Sequence, residues 1–361
     1  MSVPAARAER LLDRLLARGL DALLVTTLVD VRYLTGFTGT AGGALLRADG
    51  SGLFLTDFRY QEQSAAQVGA PWEIAVVDDL PRALAETLGA AGRLGVDETS
   101  LTLRAARKLR ESLGDAWELA GGENEVAKLR EVKEAGEVDA LRAAARLADE
   151  ALAEVVAGGL AGRSELEVAF ELELAMRRLG AQALSFPPIV ASGPRGALPH
   201  AQPTDERIEP DVLVTIDWGA ELDGYCSDCT RTFATGESLP DWAREIYDVT
   251  LRAQETGLAA IATGTTGREV DAAARAVIEQ AGYGDRFGHG LGHGVGLEVH
   301  EGPTLSRRGS EEPLAAGNVV TDEPGIYLPG RGGVRIEDLV VVGEDANEIL
   351  TGLTKDLQVI A

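Results

Sequence analysis

The chain has 361 residues, of which 45% are hydrophobic and 25% charged, and its formal net charge is -24. This length suits two domains, and the acidic excess disfavours partners such as nucleic acid or anionic membranes, which are themselves dense in negative charge. The sequence has no apolar run of membrane-spanning length, its first twenty residues are charged throughout, and it has only two cysteines, so we expect a cytoplasmic protein.

The first third of the chain predicts a small mixed α/β domain, because helical patterns alternate there with short apolar runs. The helical patterns cover residues 5–18, 58–67, 80–89 and 101–112, and the strand-like runs cover residues 22–26, 44–47, 52–56 and 73–77. A Gly-Gly-Glu-Asn stretch at residues 121–124 is typical of a linker and gives a predicted domain over residues 1–122.

Residues 126–361 follow a different pattern, in which pairs of helices are separated by strand-like runs. The predicted helices cover residues 126–157, about 164–179, 240–262 and 268–281, and the strand-like runs cover residues 211–219, 224–234, 318–323 and 336–343. This mixture predicts an α+β domain.

Histidine is rare in the chain but clustered. Three of the four histidines, His289, His293 and His300, lie in the motif GHGLGHGVGLEVHE, and the fourth is His200. The alternating glycines exclude a helix, since each costs about 1 kcal/mol relative to alanine in a helix. Glycine in an extended segment instead permits close approach of a substrate or a metal. We interpret the cluster as a functional site rather than as a set of structural histidines.

A second motif, TIDWGAELDGYCSDCTRTF, predicts two strands joined by a tight turn. A turn centred on Leu222 and Asp223 places Asp217 directly opposite Asp228, and a shift of two residues leaves them diagonal neighbours. Facing aspartates in an apolar hairpin repel each other, and burying each isolated charge costs several kcal/mol. A shared cation would relieve that cost; the alternative is an exposed edge hairpin.

A third motif, VVTDEPGIYLPGRGGVRIEDLVVV, places Glu323 at the end of one strand and Glu337 inside another. Proline at 324 and the glycine-rich residues 330–333 predict the turn between them. Arg335 shares a strand face with Glu337, so we expect it to hold that carboxylate by a salt bridge. The alternative is a structural Arg–Glu pair with Glu323 at a loop tip.

These motifs resemble the creatinase, prolidase and aminopeptidase P group of the M24 pita-bread metallopeptidases, in the order and at the spacing of that group. The resemblance extends over nearly the whole chain through IVASGPRGALPHAQPT, HGLGHGVGLEVHE, TDEPGIY and GVRIEDLV, and through VRYLTGFTGTAG and FLTDFRYQEQ near the N-terminus. It implies an α+β pita-bread catalytic domain over residues 126–361, preceded by a smaller creatinase-type α/β domain over residues 1–122.

The resemblance also implies a site with two divalent metal ions. The implied ligands are Asp217, Asp228, His293, Glu323 and Glu337. Four carboxylates balance the charge of two such ions, and oxygen-rich ligation suits Mn²⁺, with Co²⁺ and Zn²⁺ as alternatives. By the same resemblance, the implied catalytic residues are His200, His289 and His300, which contact the substrate or stabilise the reacting carbonyl, and Glu323, which shuttles a proton.

The implied activity is that of an Xaa-Pro aminopeptidase, which hydrolyses the bond between an N-terminal residue and a following proline. An Xaa-Pro dipeptidase of the same fold is the nearest alternative. A metal-free creatinase-type enzyme and a non-catalytic peptide-binding module are further alternatives, which the complete ligand set disfavours. The resemblance implies a homodimer. Three positions depart from the family pattern: Asp322, where an apolar residue is usual, Arg195, which replaces a frequent asparagine, and Asp30, where asparagine is common.

Overall fold

The computed structural model describes residues 2–309 and 311–361. The chain divides into two compact units, Met1–Arg130 and Glu131–Ala361. The predicted linker at residues 121–124 comprises the last two residues of the last strand of the first unit and the two residues that connect it to the last helix. Among the described residues, no helix is both long and apolar enough to cross a membrane.

The first unit is a six-stranded sheet with helices. Its helices are α1 (Val3–Ala17), α2 (Leu28–Thr35), α3 (Gln61–Gln67), α4 (Leu80–Thr87), α5 (Leu103–Leu113) and α6 (Glu125–Arg130), and its strands are β1 (Ala22–Val25), β2 (Gly43–Arg47), β3 (Gly52–Thr56), β4 (Trp72–Val76), β5 (Gly92–Asp97) and β6 (Trp117–Gly122). The strand order is β4-β3-β2-β1-β5-β6, and β2 runs antiparallel to both of its neighbours.

Sequence reasoning missed α2, β5 and β6. Strand β5 contains two glycines, which normally disfavour a strand. One of them, Gly95, lies where a Cβ would come within 2.6 Å of the Leu20 side chain, so the glycine is there because of close packing. Propensity alone does not reveal such a position, because the neighbour is distant in sequence.

The second unit combines helix pairs with several small sheets. Its helices are α7 (Ala135–Val156), α8 (Glu165–Leu179), α9 (Asp241–Ala260) and α10 (Gly267–Gln280). Its strands are β7 (Ala183–Leu184), β8 (Ile189–Ser192), β9 (Leu213–Trp218), β10 (Ala220–Leu222), β11 (Tyr225–Cys226), β12 (Cys229–Ala234), β13 (Gly292–Gly294), β14 (Glu301–Leu305), β15 (Val319–Asp322), β16 (Gly325–Leu328), β17 (Gly332–Arg335), β18 (Asp338–Val341) and β19 (Glu348–Ile349). The five-stranded sheet has the order β14-β13-β15-β18-β19, and two three-stranded sheets have the orders β12-β9-β8 and β11-β10-β7.

The helix predicted over residues 126–157 is two helices, α6 and α7. The chain between them pairs with another part of the second unit: Val132 forms a β-bridge with Asn318, and the Lys133 N–H donates to the Gly317 carbonyl at 2.8 Å. Helix α7 then starts where the Glu137 carboxylate accepts a hydrogen bond from the Glu134 N–H at 3.0 Å. The single-helix prediction was wrong because tertiary pairing overrides local helix propensity.

The hairpin that carries the two aspartates differs from its predicted register by two residues. Thr230, and not Asp228, lies opposite Asp217, and Leu222 pairs with Tyr225. The turn therefore falls on Asp223 and Gly224, whose φ angles of 50° and 80° are those that an Asp-Gly hairpin turn requires. The observed register leaves the two aspartates diagonal neighbours, as the alternative register predicted.

The two faces of β9 have different roles. Val214, Ile216 and Trp218 are fully buried in a core that they share with α7 and α8, and the Trp218 indole donates to the Ala148 carbonyl at 2.8 Å. Because side chains alternate along a strand, Thr215 and Asp217 lie on the opposite face. The apolar face thus anchors the strand, and the polar face is held in a fixed position.

Candidate metal centre

The five predicted ligands come together in the second unit. One oxygen atom each of Asp217, Asp228 and Glu337 lies within 4.8 Å of the other two. His293 Nε2 lies 3.6 Å from Asp228 Oδ2 and 3.4 Å from Glu323 Oε1. All five side chains line one cavity of about 450 Å³. The chain therefore concentrates four carboxylates and one imidazole from five separate segments.

These carboxylates are crowded and poorly compensated. Burial raises the pKa of Asp228 well above its ordinary value, and repulsion from Glu337, Asp217 and Glu323 raises it further. Burial likewise raises the pKa of Asp217 and Glu337, and it raises the pKa of Glu323 to about 8. Among the described residues, Arg335 is the only cationic side chain that is ion-paired to these carboxylates. Its Nη2 lies 2.7 Å from Asp217 Oδ2.

The donor set fits a pair of divalent cations. Asp217 Oδ1 is buried and has no hydrogen-bond partner, which normally costs free energy. Two divalent cations would balance four carboxylates and supply the missing partner for this oxygen. Asp217, Asp228, Glu323 and Glu337 would hold such ions together with His293.

His293 is suited to ligation by its protonation state. Burial, and then the nearby His300, lower the pKa of His293 to about 4, and the two imidazole centroids are 4.2 Å apart. His293 Nδ1 lies 3.1 Å from the Gly294 carbonyl, which can only accept, so Nδ1 carries the proton. The lone pair therefore resides on Nε2, which is the atom that faces Asp228 and Glu323.

The alternating glycines let backbones approach each other around His293. A Cβ on Gly292 would overlap the Thr321 carbonyl, and a Cβ on Gly294 would overlap the Gly302 carbonyl. The interpretation of this motif as extended is correct for residues 292–294, which form β13. Glycine is thus required here by close packing and not by an unusual φ angle.

Arg335 does not hold Glu337 as predicted. Its Nη2 donates to Asp217 Oδ2 at 2.7 Å, and its Nε donates to the Thr230 hydroxyl at 3.0 Å. Thr230 in turn donates to Glu337 Oε2 at 2.7 Å. The register shift explains the error, because it brings Thr230 opposite Asp217. Sequence reasoning did not identify Thr230, although it lies on the same strand face as Asp228.

His289 belongs to a hydrogen-bonded chain that leads to the ligands. Its Nδ1 lies 2.8 Å from the Gly290 carbonyl and therefore donates, so Nε2 accepts from the Tyr327 hydroxyl at 2.8 Å. Arg335 Nη1 donates to the same hydroxyl at 3.1 Å. Burial lowers the pKa of His289 to about 4, so this imidazole is neutral. Tyr327 was also missed from sequence.

His200 and His300 are exposed residues that line the same cavity. The cavity also has an apolar part, which no sequence motif had indicated. It is formed by Phe186, Pro187, Pro188, Ile189, Pro199 and Pro203. A cavity with convergent polar groups beside an apolar surface is the usual form of a small-molecule or peptide site.

The three positions that depart from the family pattern, Asp30, Arg195 and Asp322, lie outside this cavity lining. Arg195 Nε donates to the buried carboxylate of Glu165 at 2.9 Å. Asp322 is fully buried, and it lies opposite Asp338 in the backbone register of β15 and β18. A Cβ on Gly257 would lie 2.5 Å from Asp322 Oδ1, so this glycine makes room for the carboxyl group.

Comparison with known proteins gives a consistent picture. Residues 139–344 match metallopeptidase family M24, and residues 7–132 match the creatinase/prolidase N-terminal domain. The Xaa-Pro dipeptidase of Pyrococcus furiosus is 36% identical over 355 residues, which cover 97% of this chain and 99% of that protein. The expected resemblance and fold class, a creatinase-type domain followed by a pita-bread domain, are thus confirmed.

Solved structures of related proteins share the fold of this chain. The Xaa-Pro dipeptidase from Bacillus anthracis has a TM-score of 0.94 and 42% identity, with 99% of each chain covered. The X-Pro aminopeptidase from Thermotoga maritima has a TM-score of 0.88 and 37% identity, with 98% of this chain and 100% of that chain covered.

Proposed function

Because the chain belongs to metallopeptidase family M24 and is a metal-dependent hydrolase, we propose that it is an Xaa-Pro dipeptidase. The observation that carries this proposal is the convergence of four carboxylates and a neutral imidazole beside an apolar, proline-rich surface in one cavity. An X–Pro bond lacks an N–H and has a fixed ring, so a site shaped for that ring serves where ordinary peptidases do not.

The choice of dipeptidase over aminopeptidase rests on the relatives. The sequence motifs favoured an Xaa-Pro aminopeptidase, with the dipeptidase as alternative. The Pyrococcus furiosus and Bacillus anthracis proteins that resemble this chain are both described as Xaa-Pro dipeptidases. The Thermotoga maritima structure, described as an X-Pro aminopeptidase, keeps the aminopeptidase as the second candidate.

We propose that the five ligands hold two Mn²⁺ ions, with Co²⁺ and Zn²⁺ as alternatives. When bound, such a pair of ions polarises the scissile carbonyl and lowers the pKa of the attacking water. Asp217, Asp228 and Glu337 have the three mutually closest ligand oxygens, and His293 and Glu323 complete the set. The carboxylates of this set suit Mn²⁺ because it prefers oxygen ligands.

The remaining residues bind and orient the substrate. His300 and His289 line the cavity next to the proposed ligands, and we assign His300 to the substrate carbonyl and His289 to the proline side. His200 is assigned to stabilising the charge that develops on the reacting carbonyl oxygen. Glu323 is assigned to shuttling a proton during the reaction.

The test compares two substrates on one preparation. The purified protein is loaded with Mn²⁺ and given Ala-Pro and Ala-Pro-Ala in parallel, and Asp228→Asn serves as the matched inactive control. Cleavage of Ala-Pro with little cleavage of Ala-Pro-Ala supports the dipeptidase. Release of alanine from Ala-Pro-Ala with little from Ala-Pro establishes the aminopeptidase instead. Cleavage of neither with Mn²⁺, Co²⁺ or Zn²⁺ overturns both the dipeptidase and the aminopeptidase candidates.

We also propose a cytoplasmic homodimer. The dimer follows from the family resemblance, and the cytoplasmic location follows from the acidic, cysteine-poor composition. Light scattering on the eluted protein tests the first, since a mass near 38 kDa would contradict it and twice that mass would support it. Fractionation of the source cells tests the second.

A further inference from the structure

Helix α10 carries a buried ion pair that the proposed chemistry does not use. Arg275 Nη2 and Nε lie 2.7 and 2.8 Å from the two carboxylate oxygens of Asp271, one helical turn earlier. Asp271 is fully buried and Arg275 is 5% exposed. A buried pair of this kind contributes little net stability, because desolvation offsets the attraction.

This pair holds the backbone that carries His289. Arg275 Nη1 donates to the Phe287 carbonyl at 2.9 Å, and its Nη2 donates to the His289 carbonyl at 2.7 Å. Asp271 Oδ1 accepts from the Leu291 N–H at 3.0 Å. Three alternate residues of the segment 287–291 are therefore fixed by one Arg–Asp pair.

The segment needs an external support. It lies between a short 3-10 turn that ends at Arg286 and β13, which begins at Gly292. Among the described residues, its backbone is tied to the neighbouring strand only at its end, where the Glu323 N–H donates to the Leu291 carbonyl at 2.8 Å. It also contains Gly288 and Gly290, and glycine has the largest conformational freedom to lose on ordering. Side-chain donors that satisfy its carbonyls replace the ladder that is missing along the rest of the segment.

Arg275 also supports the ring of His289. Its guanidinium carbon lies 4.0 Å from the centroid of the Phe287 ring. The Phe287 ring packs edge-on against the His289 imidazole, with centroids 5.0 Å apart. On its other side the His289 ring accepts a hydrogen bond from the Tyr327 hydroxyl. Backbone and ring contacts therefore both lead from Arg275 to the position of His289.

We propose that Arg275, oriented by Asp271, is a positioning residue that fixes the His289 imidazole in the catalytic cavity. Arg275 touches neither the cavity's carboxylates nor the proposed substrate position, and it acts through the segment 287–291. The kinetic consequence rests on the proposed hydrolase function, whereas the structural consequence does not.

The first measurement is independent of activity. The chain has only four histidines, so nitrogen-edited NMR of the imidazoles resolves each ring, and the His289→Ala spectrum assigns the ring of interest. Arg275→Met is expected to shift or broaden the His289 signals of the Zn²⁺-loaded protein, and Arg275→Lys to do so less. Unchanged His289 signals in Arg275→Met overturn the proposal. Arg130→Met, which breaks the buried pair with Asp30 in the first unit, is the control and is expected to leave these signals unchanged.

The second measurement is a double-mutant cycle on the cleaved dipeptide. Because small misplacements of a site group cost up to about 10²-fold, Arg275→Met is expected to lower kcat/KM by roughly that factor with two metal ions still bound. In the His289→Ala background the same change is expected to cost less than about 3-fold. An equal loss in both backgrounds shows a general structural role and overturns the proposal. If the wild type cleaves nothing, the proposed function fails, and the imidazole spectra still decide this inference.

Discussion

At the scale of single residues, Thr230 is the side chain on which the carboxylate geometry depends most directly. It is fully buried, accepts from Arg335 and donates to Glu337. Hydrogen bonds of this kind orient metal ligands, and their loss commonly costs 10–100-fold in metal affinity. We expect Thr230→Val to weaken Mn²⁺ binding by about that factor, measured by isothermal titration calorimetry.

Thr232 provides the matched control. It is also buried on β12, and its hydroxyl bonds to Thr215 and to the Arg335 backbone but to no ligand carboxylate. Thr232→Val is expected to cost about 1–3 kcal/mol of stability, as Thr230→Val does, since each removes one buried hydrogen-bonding group. Its Mn²⁺ affinity is expected to stay within about 3-fold of wild type. Equal affinity losses in both variants would contradict the role given to Thr230.

A second residue-scale prediction concerns Asp149 on α7. Burial raises its pKa to about 6, while the Gly352 N–H and Arg231 oppose that rise and Asp338 adds to it. A raised carboxyl pKa means that folding favours the protonated form. Protonated Asp149 therefore makes its full contribution to the free energy of unfolding below about pH 4. That contribution, about 2–3 kcal/mol, is lost as the pH rises through 6.

Asp149→Asn removes this titration and keeps an acceptor for Gly352. In metal-free protein at pH 8, we expect it to raise the urea midpoint relative to wild type, and the difference to shrink toward pH 4. Glu150→Gln, which removes the same charge from an exposed neighbour, is the control and is expected to leave the midpoint nearly unchanged. A midpoint for Asp149→Asn that is lower than wild type at pH 8 would contradict the prediction.

At the scale of elements, sequence periodicity located most helices and strands but not the pairing between them. Helices α8, α9 and α10 fall within a few residues of their predicted bounds, because each has an apolar stripe and α8 and α10 begin at a capping box. The hairpin register was wrong by two residues because the turn was centred one residue too early. The Asp-Gly pair at 223 and 224 was the available signal, since only such residues adopt two successive positive φ angles readily.

The same turn gives an element-scale prediction. Gly224 has a φ of 80°, a conformation that costs a residue with a Cβ about 1–2 kcal/mol. Gly224→Ala is therefore expected to lower the free energy of unfolding by that amount. Gly136 is the matched control, because it lies in the first turn of α7 with open space around its Cβ position. Gly136→Ala is expected to be neutral or stabilising by up to about 1 kcal/mol. Urea unfolding checks both, and a destabilised Gly136→Ala would undermine the conformational argument.

At the scale of the whole molecule, the sequence indicated which residues form the site but not how they are supported. The five proposed ligands were implied by the family resemblance of the motifs that contain them. Thr230, Tyr327 and the Asp271–Arg275 pair were not, because their roles depend on contacts between residues far apart in the chain. Buried ion pairs at helical spacing, such as Asp271 and Arg275, resemble ordinary exposed helix pairs in sequence.

Because its carboxylates are crowded, we expect the stability of the second unit to depend on bound metal. Removing one of them is expected to help the metal-free protein, because the pKa of Asp228 is raised by burial and by three carboxylate neighbours. Asp228→Asn without metal should therefore melt above wild type. With saturating Mn²⁺ the order should reverse, since a ligand at 100 times its Kd stabilises the wild type by about 2.7 kcal/mol and the variant binds poorly. Calorimetric melting with EDTA and with Mn²⁺ tests both arms. Equal stabilisation of the two proteins by Mn²⁺ would mean that the ions bind elsewhere, and a variant that melts below wild type in EDTA would show that the carboxylates do not strain the metal-free fold.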